Sequence, residues 1–94
     1  MANPRLAQWM TPVDRDILEL LRNEGNGELR LTPGLIAENL DWGDQAVREH
    51  TPLLRKHGLV EYVDESRGVY QISDRGRAWL RGDLPTEELE EREE

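Results

Sequence analysis

A chain of 94 residues without cysteine has room for one domain with a modest core, since so short a chain buries only about 60–65% of its unfolded surface, and it has neither a disulfide framework nor a thiolate metal site. The net charge of −8, from 12 basic and 20 acidic residues, runs against the basic balance usual in nucleic-acid binders. No stretch approaches the roughly 18 apolar residues of a membrane span, nothing repeats at a fixed period, and residues 1–10 lack a signal-peptide core, so a soluble cytoplasmic protein is expected.

Residues 1–10 read as an N-terminal arm. Thr11-Pro12-Val13-Asp14 then starts a helix, with Thr11 as N-cap, Pro12 at the first helical position, and Asp14 at the third, where its charge suits the helix dipole. Val13, Ile17, Leu18, Leu20 and Leu21 make an apolar stripe, with Arg15, Asp16, Glu19 and Arg22 turned away, until Gly25-Asn26-Gly27 ends the helix. Glu28-Leu29-Arg30-Leu31 alternates like a minimal strand. Thr32-Pro33 repeats the cap-plus-proline start, and Leu35, Ile36, Ala37 and Leu40 give a second helix too short to persist without tertiary packing.

After the break at Asp41-Trp42-Gly43-Asp44, a third helix runs from Gly43 or Asp44 to His57. Val47, His50, Thr51 and Leu54 lie on one face, and Gln45, Arg48, Glu49 and Pro52 on the other. Gly58 follows as the left-handed terminal residue. Pro52 removes the hydrogen bond to the Arg48 carbonyl at a cost of about 3 kcal/mol, which predicts a kink or break near residues 50–52. Leu59 to Val63 and Val69 to Ile72, joined by Asp64-Glu65-Ser66-Arg67-Gly68, read as a hairpin. Ser73-Asp74 caps a last short helix bearing Ala78, Trp79 and Leu80, closed by Gly82. Residues 85–94 have almost no apolar content and are expected as a flexible, solvated acidic tail.

The predicted fold is therefore mostly α with a small β-hairpin (α+β), in the order helix, strand, helix, helix, hairpin, helix over residues 11–84. That order is a winged helix-turn-helix arrangement. Val47-Arg48-Glu49-His50, Leu54 and Gly58-Leu59-Val60 resemble the recognition helix and following strand of winged-helix regulators. The run from Val69-Tyr70-Gln71-Ile72 through Ser73-Asp74-Arg75-Gly76-Arg77-Ala78-Trp79-Leu80 to Arg81-Gly82-Asp83-Leu84 resembles the second wing strand and closing helix of haloarchaeal regulators related to the phage phi-H repressor. Trp9-Met10-Thr11-Pro12, leading into Asp14 to Leu21, is similar to the start of that group. The resemblance spans residues 9 to 84 and implies a sequence-specific double-stranded DNA-binding transcriptional regulator, a repressor, working as a homodimer.

Charge placement softens the objection raised by −8. Residues 83–94 carry seven acids against Arg92, whereas residues 43–82 carry seven basic residues against six acids. Of the 12 basic residues 11 are arginine, and Phe is absent; with the abundant acids this resembles proteins of halophilic archaea, whose charge serves solubility in salt and says little about fold.

The helix of residues 44–57 is placed in the major groove, where Arg48 can give two donors to guanine and Gln45 can pair with adenine, each contact worth about 1–3 kcal/mol of discrimination. Asp44, Glu49 and Pro52 share that face. A carboxylate there can accept from cytosine, although capping or solvation explains Asp44 and Glu49 more simply. The wing, residues 64–69, presents Ser66, Arg67 and Gly68 to a phosphate or the minor groove. Thr32, through its helix N-terminus, and Arg30, Arg55 and Lys56 are candidate phosphate contacts. Leu6 and Trp9 are expected to meet Trp79 and Leu84 in a dimer contact, because the terminal segments are too short to be ordered unsupported.

His50 and His57 lie seven apart, but no third ligand accompanies them, and both are read as half-buried packing residues with no metal. No nucleophile and base pair or glycine-rich phosphate loop can be assembled, so neither an enzyme nor a cofactor or small-molecule ligand is expected. The competing reading is a winged-helix protein-interaction module without DNA binding.

Overall fold

The computed structural model describes residues 5–90. Its elements are α1 (Pro12–Arg22), α2 (Pro33–Glu38), α3 (Asp44–Lys56), β1 (Val60–Asp64), β2 (Val69–Ile72) and α4 (Asp74–Arg81), followed by a short 3-10 turn over Thr86–Leu89. This is the expected α+β winged-helix arrangement. Among the described residues no helix is long and apolar enough to cross a membrane.

The caps form where the sequence places them. The Thr11 backbone N–H donates to the Asp14 carboxylate at 2.9 Å, Thr32 Oγ1 accepts from Leu35 N–H at 3.3 Å, and Ser73 Oγ accepts from Gly76 N–H at 3.0 Å. Gly58 and Gly82 take left-handed backbone angles, φ +80° and +86°, that end α3 and α4.

One core is shared by all the helices and the hairpin. Ile17, Leu18 and Leu21 of α1, Ile36 of α2, Val47 and Leu54 of α3, Ile72 of β2 and Trp79 of α4 are fully buried in it. α4 closely approaches the residue that leads into β1: a Cβ at Gly76 would stand 2.2 Å from the Leu59 carbonyl oxygen. The hairpin is antiparallel, pairing Val60 with Ile72 and Tyr62 with Tyr70. Its register slips between Tyr62 and Asp64, so Val63 has no partner in the ladder. The minimal strand at residues 28–31 is reduced to one bridge, in which Leu31 N–H donates to the Tyr70 carbonyl at 3.0 Å and the Leu31 carbonyl accepts from Tyr70 N–H at 2.9 Å.

Three expectations are corrected. α3 runs without a break through Pro52: the proline is exposed, and Thr51 Oγ1 donates to the Val47 carbonyl at 2.7 Å on the buried side. The chain does not turn into a solvated tail at residue 85, because Thr86 and Leu89 are buried; residues 91–94 lie outside the described residues. Nor are residues 5–10 a loose arm, since Ala7 and Met10 belong to the core, while 1–4 lie outside the described residues.

These two end segments order each other within one chain. Thr86 Oγ1 accepts from the Trp79 indole N–H at 3.0 Å and donates to the Arg5 carbonyl at 2.7 Å. The Trp9 indole N–H donates to the Leu89 carbonyl at 2.8 Å. Arg5 meets both Glu90 oxygens, at 2.8 and 3.2 Å, and this hydrogen bonding holds the Glu90 carboxyl below its usual range. Leu6, Trp9, Trp79 and Leu84, the residues expected at a dimer contact, all lie in or beside this region of the chain. Trp79 has no exposed surface, and Leu6, Trp9 and Leu84 pack on the core of their own chain.

Candidate nucleic-acid interface

α3 turns about 100° per residue, so burying Val47, Thr51 and Leu54 forces Asp44, Gln45, Arg48, Glu49 and Pro52 outward, and all five are exposed. The same spacing brings residues four apart into contact. Arg48 Nε donates to Asp44 Oδ2 at 2.7 Å, and Gln45 Nε2 to Glu49 Oε2 at 3.0 Å. Each base-reading candidate is thus held by one of the carboxylates beside it. Both arginine and aspartate are more than half exposed, so water screens the pair and its net worth is at most about 1 kcal/mol.

The Arg48 guanidinium also lies against the first turn of α2. A Cβ at Gly34 would stand 3.2 Å from one of its nitrogens and 4.0 Å from Thr32 Oγ1. The absent side chain lets the outward face of α3 and the start of α2 form one continuous surface.

That surface extends to the wing. Arg30, Thr32, Leu35, Val63, Asp64, Arg67 and Val69 line a single cleft between α2 and the hairpin. Three candidate phosphate or groove contacts, Arg30, Thr32 and Arg67, therefore meet, although Thr32 and Arg67 are far apart in sequence. Asp64, the acid among them, is engaged in the turn: its Oδ1 accepts from Ser66 Oγ at 2.8 Å and from Arg67 N–H at 3.2 Å. The Ser66 bond, then the Arg67 N–H, keeps its carboxyl below the usual range. Gly68, at φ +68°, turns the chain back into β2. The Arg67 side chain is 76% exposed, with its guanidinium 3.7 Å from Asp64 Oδ2.

Arg55 and Lys56 stand apart from this group, two turns further along α3. Arg55 lies over the Tyr62 ring at 4.5 Å from its centre, and Lys56 is exposed near the helix end.

Behind the reading face, α3 is tied to α1 by His50, whose Nδ1 is 2.8 Å from Asp14 Oδ2. Asp14, expected as a partner of the helix dipole, is fully buried. Burial pushes its carboxyl above the ordinary range, against the Thr11 N–H and His50, which favour the charge. His57 stacks on Trp9, with ring centres 4.0 Å apart. Both histidines are half-buried as expected. Among the described residues, no three His, Cys, Asp or Glu side chains gather as metal ligands.

Sequence reasoning missed Gly34, Leu35 and Val63. Leu35 was counted with the apolar face of α2, but it is 45% exposed and Val63 is 42% exposed. The signals were present: Leu35-Ile36-Ala37 spans about 200° of helix, too wide for one buried face, and Val63 falls on the Glu61 side of an alternating strand.

A family model described as winged helix-turn-helix phage repressor matches residues 3–92. The chain is 33% identical over 87 residues to the repressor protein of Halobacterium phage phiH, covering 92% of this chain and 96% of that one. It is also 33% identical over 76 residues to the LexA repressor of Deinococcus radiodurans, covering 81% of this chain but 35% of the relative. Among solved structures, the PhiH1 repressor-like protein from Haloarcula marismortui superposes with a TM-score of 0.71 at 27% identity, covering 90% of this chain and 94% of that one.

Proposed function

Because the chain belongs to the winged helix-turn-helix phage repressor family, we propose that it is a DNA-binding transcriptional regulator, a repressor, acting in a salt-adapted cytoplasm. The first turns of α3 enter the major groove, with Gln45 and Arg48 reading base edges, while Arg30, Thr32 and Arg67 hold the backbone beside them. The observation that carries this reading is the position of Arg48. Its guanidinium rests on the first turn of α2, which lines the wing cleft, so base-reading and backbone-holding candidates form one surface. A homodimer on a two-fold operator belongs to the proposal, with a contact that cannot include the buried Trp79.

The test is duplex binding over a wide potassium chloride range, using a sequence selected from a random pool at high salt. Arg48→Ala should relax base preference, and Arg67→Ala should weaken binding to all sequences alike. The salt slope should be flatter than the phosphate contacts imply, or reversed, because Asp44 and Glu49 repel phosphate until they are screened. A second reading, a protein-interaction module, is favoured by one observation: both base-reading candidates already have acidic partners in the free protein. Absence of specific duplex binding at every salt concentration would overturn the DNA-binding reading and favour the interaction module.

A further inference from the structure

The wing cleft holds more apolar surface than a phosphate site requires. Leu35 and Val63 are two of the three large hydrophobic side chains most exposed among the described residues, and both line this cleft together with Val69. Val63 lines it from the point where the β1 register slips, on the same exposed side of the strand as Glu61. Arg30 and Arg67 border the same floor, and Asp64 is occupied by the Ser66 hydroxyl and the Arg67 N–H. An aliphatic strip with guanidinium groups along it is complementary to a chain of sugars joined by phosphates. The cleft is also continuous, through Thr32 and Gly34, with the face that carries Arg48.

We infer that this cleft seats one backbone strand of the DNA, with phosphates on Arg30 and Arg67 and deoxyribose faces on Leu35, Val63 and Val69. Part of the affinity is then apolar contact, which ions do not screen. This rests on the DNA-binding reading and adds to it. Phosphate contacts alone lose strength steeply as salt rises, through lost counterion release. Sugar contacts on Leu35 and Val63 persist in salt, and strongly hydrated anions reinforce them. A protein of net charge −8 gains from such a component, because its overall field opposes association with a polyanion.

The experiment measures dissociation constants of the full chain on the selected duplex across a potassium chloride series. Leu35→Ser combined with Val63→Ser should weaken binding about tenfold at every salt concentration, with the salt slope unchanged. Arg30→Ala and Arg67→Ala should each instead change the slope by about 0.9. Leu35→Met, which keeps the apolar area, should bind like wild type. Val63→Thr keeps the branched shape a strand prefers and guards against misfolding; it should weaken binding about threefold with the same slope. If the serine variants bind like wild type, or change only the slope, the cleft does not seat sugars, and the DNA-binding reading stands through Arg48. If Leu35→Met loses as much as the double serine variant, shape and not apolar contact is at work and the inference falls. If the wild-type chain binds no duplex at any salt, both this inference and the DNA-binding reading fall.

Discussion

His50 Nδ1 of α3 lies 2.8 Å from Oδ2 of the fully buried Asp14 of α1. The helix that presents Arg48 to solvent is therefore fixed from behind by a polar contact inside the core. Burial is the main influence on Asp14 and raises its carboxyl above the ordinary 3.8.

A raised folded-state pKa means that the native chain binds this proton more tightly than the unfolded chain does. Asp14's contribution to stability is thus unpenalised below 3.8 and falls as pH rises from there through the folded value. Asp14→Asn lacks the titration but retains an oxygen for Thr11. Its stability relative to wild type should grow as pH rises from 3.8 through the folded value and level off above it. Urea denaturation at stepped pH measures this, and a pH-independent difference would contradict it.

Gly76 is required by contact and not by backbone angle. A methyl group there would stand 2.2 Å from the Leu59 carbonyl oxygen and 2.8 Å from Ile72 Cγ1. Gly76→Ala should lower stability by about 1–3 kcal/mol despite the better helix propensity of alanine. Thermal denaturation should show a fall of about 4–8 °C for each kcal/mol.

Thr86 links Trp79 to the backbone of Arg5, accepting from one and donating to the other. Thr86→Val preserves shape but leaves a buried indole N–H unsatisfied, at a cost of about 1–3 kcal/mol. Hydrogen exchange of the Trp79 indole proton should accelerate markedly in this variant. Unchanged protection would mean that the end segments do not shield Trp79.

Asp44 and Glu49 restrain the side chains that are proposed to read DNA. Asp44→Asn with Glu49→Gln removes two negative charges beside the duplex and releases Arg48 and Gln45. Duplex affinity should rise severalfold at low salt, and the salt slope should steepen. Stability should change by less than about 1 kcal/mol, since the paired groups are exposed.

Much of the fold could be read from local chemistry. Thr-Pro at residues 11 and 32, Ser73-Asp74 and the glycines after α3 and α4 act on their nearest neighbours, so their spacing alone locates helix ends. The pairing of Arg48 with Asp44 was likewise implicit in a four-residue interval. Contacts without a local signature stayed hidden. Glutamates dominate residues 87–94, and nothing nearby indicates that Leu89 is buried or that Glu90 meets Arg5. The wing cleft was hidden for the same reason: Arg30 and Arg67 come together only after Leu31 bridges Tyr70. Pro52 shows a local rule being overruled, since packing of Thr51 and Leu54 keeps α3 continuous through a residue that disfavours it.

The clasp between residues 5–10 and 85–90 bears on how the molecule breathes. Arg5 and Glu90 are 85 positions apart, so their contact closes a loop of nearly the whole chain, the costliest closure in the fold. Chain ends are where local opening costs least, so hydrogen exchange is expected to show this clasp opening before the helices it covers. Its release uncovers Trp9 and His57 at the C-terminal end of α3, while Asp44 to Arg48 at the other end stay anchored through α1 and α2. The clasp thus meets α3 at its C-terminal end, through Trp9 on His57, and the side chains that would touch a duplex project from the first turns at the other end.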